Sequence, residues 1–296
     1  MSTFNAIDLS LLPAPDVIES LDYEVIFSAM LATLRSKAPD FSALVESDPA
    51  YKVLEVAAYR ELMLRQRVND ASRAVMLAYA NGNDLENLAA NFNVQRQIVI
   101  PANPDAEPPT PAVYETDTAL RKRTLLALEA ITTAGSEGSY IFHALSASGD
   151  VKAATAASPS PGQVSVTILS HSNGGAASGD LLTTVATALN AEEVRPLTDQ
   201  VTVQAATIQR YSVEATLTLK SGASSALVMT AAEQALQAYA ATNFKLQATV
   251  ALSGIYAALH QTAGVEKVNL SSPSADIICG VNAAPLIENI TLNVEG

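Results

Sequence analysis

Histidines, cysteines and clustered carboxylates are the side chains from which catalytic and metal sites are most often built, and this chain holds few in a useful spacing. Its three histidines are His143, His171 and His260. None has a second histidine, a cysteine or a carboxylate at a metal-ligand interval, and neither HExxH nor CxxC occurs. His143 and His260 fall beside apolar residues on predicted helices, where an imidazole packs rather than reacts. The single cysteine, Cys279, has no basic neighbour to favour its thiolate and reads as a small buried side chain. It cannot form an internal disulfide, which suits synthesis in a reducing compartment.

The remaining polar clusters fare no better. The loop His171-Ser172-Asn173-Gly174-Gly175 precedes a predicted helix, as a phosphate cradle does. It lacks the lysine and glycine spacing of a P-loop, so a strand-to-helix turn is the better reading. Glu192-Glu193 stands next to Arg195-Pro196 in a polar loop rather than a cleft. Arg121-Lys122-Arg123 opens a helix and is too short and isolated for a nucleic-acid patch. No GxSxG elbow is present. The expectation is therefore no catalytic, cofactor-binding or metal-binding residue, no cofactor, and no enzymatic activity.

Charge and composition point the same way. Across 296 residues the net charge is −13, which repels phosphate backbones and argues against nucleic acid as a partner. Met1 to Ala6 lack the basic start of a secretory signal, and no stretch approaches the roughly 20 apolar residues that cross a bilayer, so no membrane partner is expected. Hydrophobic residues make up 49% with aromatics at only 5%, enough for a core of small aliphatic side chains. The charge is uneven: residues 1–48 carry −6, whereas 49–73 carry +2 from five basic and three acidic groups. That basic segment reads either as a docking surface for an acidic partner or as a solvated helix face with ordinary intrahelical pairs.

Glycine and proline divide the chain. Only Gly82 of the 13 glycines precedes Gly135, so the first part reads as helical. Asp22 is a good cap for a helix to about Lys37, and Ser47-Asp48-Pro49 starts another. From Ala50 to Ala80 nothing breaks it, and Asn81-Gly82 supplies a left-handed stop, giving a rod of roughly 45 Å. Five of the 14 prolines lie between Pro101 and Pro111, predicting an extended, exposed connection with no strand ladder. Beyond it, helical and period-two patterns alternate, the clearest strand being Tyr211–Leu219. Ser139–Leu145 followed by a strand is faintly repeated as Ser253–Leu259 followed by a strand. The expected class is α+β: an N-terminal helical region with one long bundle-forming helix, then two small α+β domains. The divisions are 1–48 (acidic arm and first helix), 49–92 (long and short helices), 93–118 (Pro-rich connection), 119–205 and 206–296 (the two α+β domains).

The rod is the most informative element. Leu54, Glu61, Val68 and Val75 form one seven-residue row, and Ala57, Leu64, Ala71 and Ala78 form the next. Seven of these eight are apolar, as in a heptad seam, with Glu61 as the polar intrusion that fixes register or partner choice. Val53, Val56, Tyr59, Leu62, Met63 and Leu77 widen the apolar surface beyond a two-strand stripe. Either partner chains complete this surface or the helix packs within its own domain.

The segment Asp48-Pro49, Glu55, Ala58-Tyr59-Arg60-Glu61 and Arg65 through Ala71, continuing to Asn81–Ala89, strongly resembles the baseplate J-like family of contractile-tailed phages and R-type, phage-tail-like bacteriocins. Pro161–Val166, Arg195–Val201, Tyr211–Ala215 and Gly264–Val268 agree, in the expected order and over nearly the whole chain. The resemblance implies a structural subunit of the baseplate wedge. Two copies would join a second wedge protein, of the protein I type, in a helical core bundle. It would place Leu54, Ala57, Glu61, Leu64, Val68, Ala71 and Val75 in that bundle, with Arg60 and Arg67 beside them. Tyr211–Gly296 would contact neighbouring wedges, closing a ring that rearranges to trigger sheath contraction. Sheath initiator and hub proteins are further implied partners, with assembly in the bacterial cytoplasm and final residence in the tail particle. A soluble fibre-type binding module and a tail-associated cell-wall hydrolase are the alternatives.

Overall fold

A computed structural model of the chain describes residues 9–13, 15–41, 43–131 and 135–295. The start of the acidic arm, through Asp8, lies outside them. The described residues form two compact units, one ending at Gln95 and one starting at Arg96.

The first unit is helical: α1 (Tyr23–Lys37), α2 (Pro49–Ala74) and α3 (Gly82–Ala90). The Asp22 carboxylate accepts the N–H groups of Glu24 and Val25 at 2.8 and 3.3 Å, so α1 starts where its cap dictates. Pro49 occupies the first turn of α2 as expected. The Asp48 carboxylate, however, turns back to the Val45 N–H at 2.9 Å and fixes the preceding turn. Helices α1 and α2 meet through Ile26, Phe27 and Ala58, with Tyr51, Leu54 and Leu62 at the margin. Ala58 has no exposed surface and lies within that contact. The Phe27 and Tyr51 rings meet edge-on at 4.9 Å.

Helix α2 ends earlier than its sequence predicts. It stops at Ala74, a rod of 26 residues or roughly 39 Å, rather than running to Ala80. No breaker lies between; tertiary contacts overrule local propensity. Tyr79 donates its hydroxyl to the Pro13 carbonyl at 3.1 Å, Ala80 is buried, and the chain turns through Met76. Gly82 takes the left-handed conformation (φ 53°) at the entry to α3 rather than as the stop of α2.

The second unit opens with a surprise. The proline-rich segment is not an extended connection but folds back on itself. Strand β1 (Ile98–Ile100) pairs antiparallel with β2 (Val113–Tyr114), and Asn103 and Thr110 exchange backbone hydrogen bonds at 2.9 and 3.0 Å. A ladder needs N–H donors only at alternate positions, and here Asn103 and Thr110 supply them between the prolines.

After α4 (Asp117–Leu126) come α5 (Glu137–Ala147), β3 (Val151–Ser160), β4 (Gln163–Ser170), α6 (Gly179–Leu189) and β5 (Gln200–Ala205). Sheet order is β3-β4-β5, with β3 antiparallel and β5 parallel to β4. Gly162, at φ 73°, makes the tight turn between β3 and β4. Helices α5 and α6 bury Tyr140, Ile141, Ala144, Val185 and Leu189 against Val166 and Ile168. The second sheet follows from β6 (Thr207–Leu219), α7 (Ser225–Asn243), β7 (Thr249–Val250), α8 (Leu252–His260), β8 (Val265–Ser272), β9 (Ile277–Ile278) and β10 (Ala283–Glu295). Its order is β10-β6-β8, while β7 and β9 form a separate short pair. Tyr211, Val213, Ala215 and Leu217 face the core, as their period-two spacing requires.

The faint repeat has a structural counterpart. In both sheets a central strand (β4, β6) leads into a helix, one edge strand (β3, β8) runs antiparallel behind a helix, and the other edge (β5, β10) runs parallel. The chain order is permuted, since β3 precedes its central strand and β8 follows its own. Only Ala206 separates β5 from β6, and Leu169, Ala206, Leu246 and Ala284 form a core joining the two sheets. Buried Thr167 donates to Asn282 Oδ1 across that junction at 2.9 Å.

Candidate assembly interface

Several of the polar residues considered above have partners within the fold. His143 packs edge-on against Phe142 at 5.3 Å, and its burial lowers its pKa. Cys279 is buried with Sγ 3.4 Å from Gln209 Oε1, and burial raises its thiol pKa away from reactivity. The loop after His171 closes on its own chain: the Asp150 carboxylate accepts from Ser172 N at 3.0 Å, Ser172 Oγ at 2.7 Å and Ser170 Oγ at 2.8 Å. Arg195 donates to the Asp199 carbonyl at 2.9 Å and Tyr140 to the Asp199 carboxylate at 2.8 Å, so the Arg195–Asp199 turn is tied down onto α5. Among the described residues no group of three metal-ligating side chains converges, and no helix is long and apolar enough to cross a membrane.

The surface with something unfinished is α2. A regular helix advances about 100° per residue, so a strict seven-residue row turns by about 20° per heptad. The first row shows this drift. Leu54 packs into the contact with α1; the Glu61 side chain is 34% exposed, Val68 58% and Val75 70%. In the second row Ala57 is half-buried, Leu64 is 68% exposed and Ala71 is exposed. The two rows therefore converge into one open face of Leu64, Val68 and Ala71 on α2, continued by Val75 just past its end. Val53 and Met63 are exposed alongside, while Leu54 belongs to the fold of this chain.

Charges frame that face. Lys52 pairs with Glu55 at 2.9 Å, Arg65 with Glu61 at 2.6 Å and Arg73 with Asp70 at 3.8 Å. These pairs consume all three carboxylates of residues 49–73, and the surplus of +2 is Arg60 and Arg67. Both are exposed, without an ion-pair partner among the described residues, and seven positions apart on the same side of the helix. Glu61 is thus already neutralised by Arg65, which also reaches Glu19 at 3.1 Å.

Sequence reasoning missed the residue that holds the opposite face. Asn69 is buried, accepts from the Glu19 N–H at 3.1 Å and donates to the Glu19 carbonyl at 2.9 Å, pinning the acidic arm to α2. The signal was available: Asn69 lies 11 residues after Ala58, almost the same side of the wheel, where an apolar residue would be expected.

The model of the Baseplate J-like N-terminal domain matches residues 46–103, that of the Baseplate J-like central domain residues 132–205, and that of the Baseplate J-like protein C-terminal domain residues 211–293. Baseplate protein J of Escherichia phage P2 is 48% identical over 279 residues, covering 92% of each chain. A chain in the cryo-EM structure of the anti-feeding prophage baseplate, 6-fold symmetrised, matches with a TM-score of 0.45 and 15% identity, over 61% of this chain and 44% of that one. That last likeness is too partial to assign a fold. Three consecutive domain matches and a near full-length relative place the chain in the baseplate J-like family.

Proposed function

We propose that this chain is a structural subunit of the baseplate wedge of a contractile tail and has no catalytic role. In this reading two copies join a second wedge protein, of the protein I type, with Leu64, Val68 and Ala71 of each α2, and Val75 at its C-terminal cap, in a shared bundle. Arg60 and Arg67 flank that seam and meet acidic groups of the partner. The part of the chain from Tyr211 onward reaches neighbouring wedges, sheath initiator and hub proteins are further partners, and the resulting ring rearranges to trigger sheath contraction. Assembly takes place in the bacterial cytoplasm, and the product resides in the tail particle.

The observation that carries the reading is the open apolar face of α2. Burying a side chain of leucine or valine size contributes about 1.5–3 kcal/mol, so leaving three of them in water on one helix forgoes a large gain that partner chains recover. The baseplate name of the phage P2 relative supports the context. The test is co-expression with the adjacent wedge protein. Leu64→Asp and Val68→Asp should abolish co-purification while the second unit keeps its fold by circular dichroism. An intact complex from both variants, or turnover of cell wall by the purified chain, would overturn the proposal.

A further inference from the structure

The second unit holds a cleft of about 400 Å³, between the β1–β2 ribbon, α4 and the start of β3, that the assembly face does not use. Lys122, Lys152 and His171 line it, in a chain whose net charge is −13. Glu115 and Arg123 also line it, but they neutralise each other through paired contacts of 3.0 and 2.7 Å. The Asp150 carboxylate nearby is held by hydrogen bonds from Ser170 and Ser172 and keeps its charge. Neither Lys122 nor Lys152 has a carboxylate partner among the described residues. Instead the Lys152 ammonium sits 3.9 Å from the centre of the Phe244 ring, a contact that leaves its charge in place. Burial lowers the pKa of Lys152; burial and then Lys152 lower that of His171, against the smaller opposing pull of Asp150 and Glu115. Lys122 keeps solvent contact, yet crowding by protein and then by Lys245 lowers its pKa too. Two lysine charges without a carboxylate partner on one cleft wall favour an anion there.

We propose that this cleft takes an acidic peptide segment of another chain, its carboxylates on Lys122 and Lys152 and an apolar side chain against Val99, Tyr114 and Leu145. The inference rests on the reading of the chain as an assembly subunit. A peptide fits better than a small anion because the volume falls in the range of built ligand pockets and half of the wall is apolar. A bare phosphate would leave that wall uncovered.

The test titrates a fluorescein-labelled pentapeptide of three glutamates and two leucines into the full chain, read by fluorescence anisotropy. Saturable binding is expected, weakened about tenfold or more in Lys122→Glu/Lys152→Glu and unchanged in the exposed control Lys267→Glu. If the double glutamate variant fails to fold, Lys122→Gln/Lys152→Gln replaces it with the same expectation. No saturable binding, or an equal loss in Lys267→Glu, overturns the proposal. Displacement of the peptide by inorganic phosphate at equal concentration also overturns it, in favour of a free-anion site. Leu64→Asp should bind the peptide like the parent chain, which separates failure of the cleft from failure of the α2 interface.

Discussion

Arg123 illustrates how little of a residue's role its neighbours in sequence reveal. It stands in a run of three basic residues, yet its side chain is 6% exposed and locked onto the 8% exposed Glu115. Glu115 also accepts from the Gln97 N–H at 3.2 Å, and Arg96 reaches both the Glu115 carbonyl and Asp117. Together these bonds fix the corner where β2 enters α4. A buried ion pair is not in itself strongly stabilising, but removing one member strands the other charge, at a cost of about 3–5 kcal/mol. Arg123→Met should therefore lower the stability of the second unit by about that amount, read from the urea midpoint. Arg123→Met/Glu115→Leu should recover most of it, because no charge remains buried. A loss under about 1 kcal/mol in the single variant would mean that water reaches Glu115.

At the scale of elements, what was legible depended on whether the signal was local. Caps and periods were read correctly: Asp22 before α1, Pro49 at the head of α2, and the alternation from Tyr211 to Leu217. The end of α2 and the pairing of β1 with β2 were not, because both depend on partners distant in sequence or hidden among prolines. The heptad rows were visible, but which part of each row faces α1 was not, since the drift of a regular helix against a seven-residue period has no origin until α1 is placed. That drift predicts opposite behaviour at the two ends of one row. Leu54→Ala should destabilise the isolated first unit by roughly 1–2 kcal/mol, below the value for a fully buried leucine. Val75→Ala should leave it within about 0.5 kcal/mol and instead weaken the wedge complex. Thermal denaturation and co-purification of both variants decide this; equal destabilisation of the isolated chain would show that Val75 is covered internally.

For the molecule as a whole, the two units differ in how completely each buries its own surface. The second has continuous cores beneath two sheets, joined at Ala206, with Ile168, Leu217, Leu236 and Leu259 fully buried. The first buries Ile26, Phe27 and Ala58 in one cluster and Ala80, Leu85, Ala89 and Val94 beyond α2, yet its longest helix leaves leucine and valine side chains in water. A unit that leaves such side chains exposed gains stability from whatever binds them in its folded form. Amide hydrogen exchange on the full chain should report this directly. In the isolated chain, amides of α2 should exchange well before those of β4 and β6, through local opening of the first unit. Adding the wedge partner should slow α2 exchange by at least about tenfold, the effect of roughly 1.4 kcal/mol of binding stabilisation, and leave β4 and β6 unchanged. Equal protection of α2 and β4 without any partner would mean that the first unit is complete in itself, and the open face of α2 would then need a different explanation.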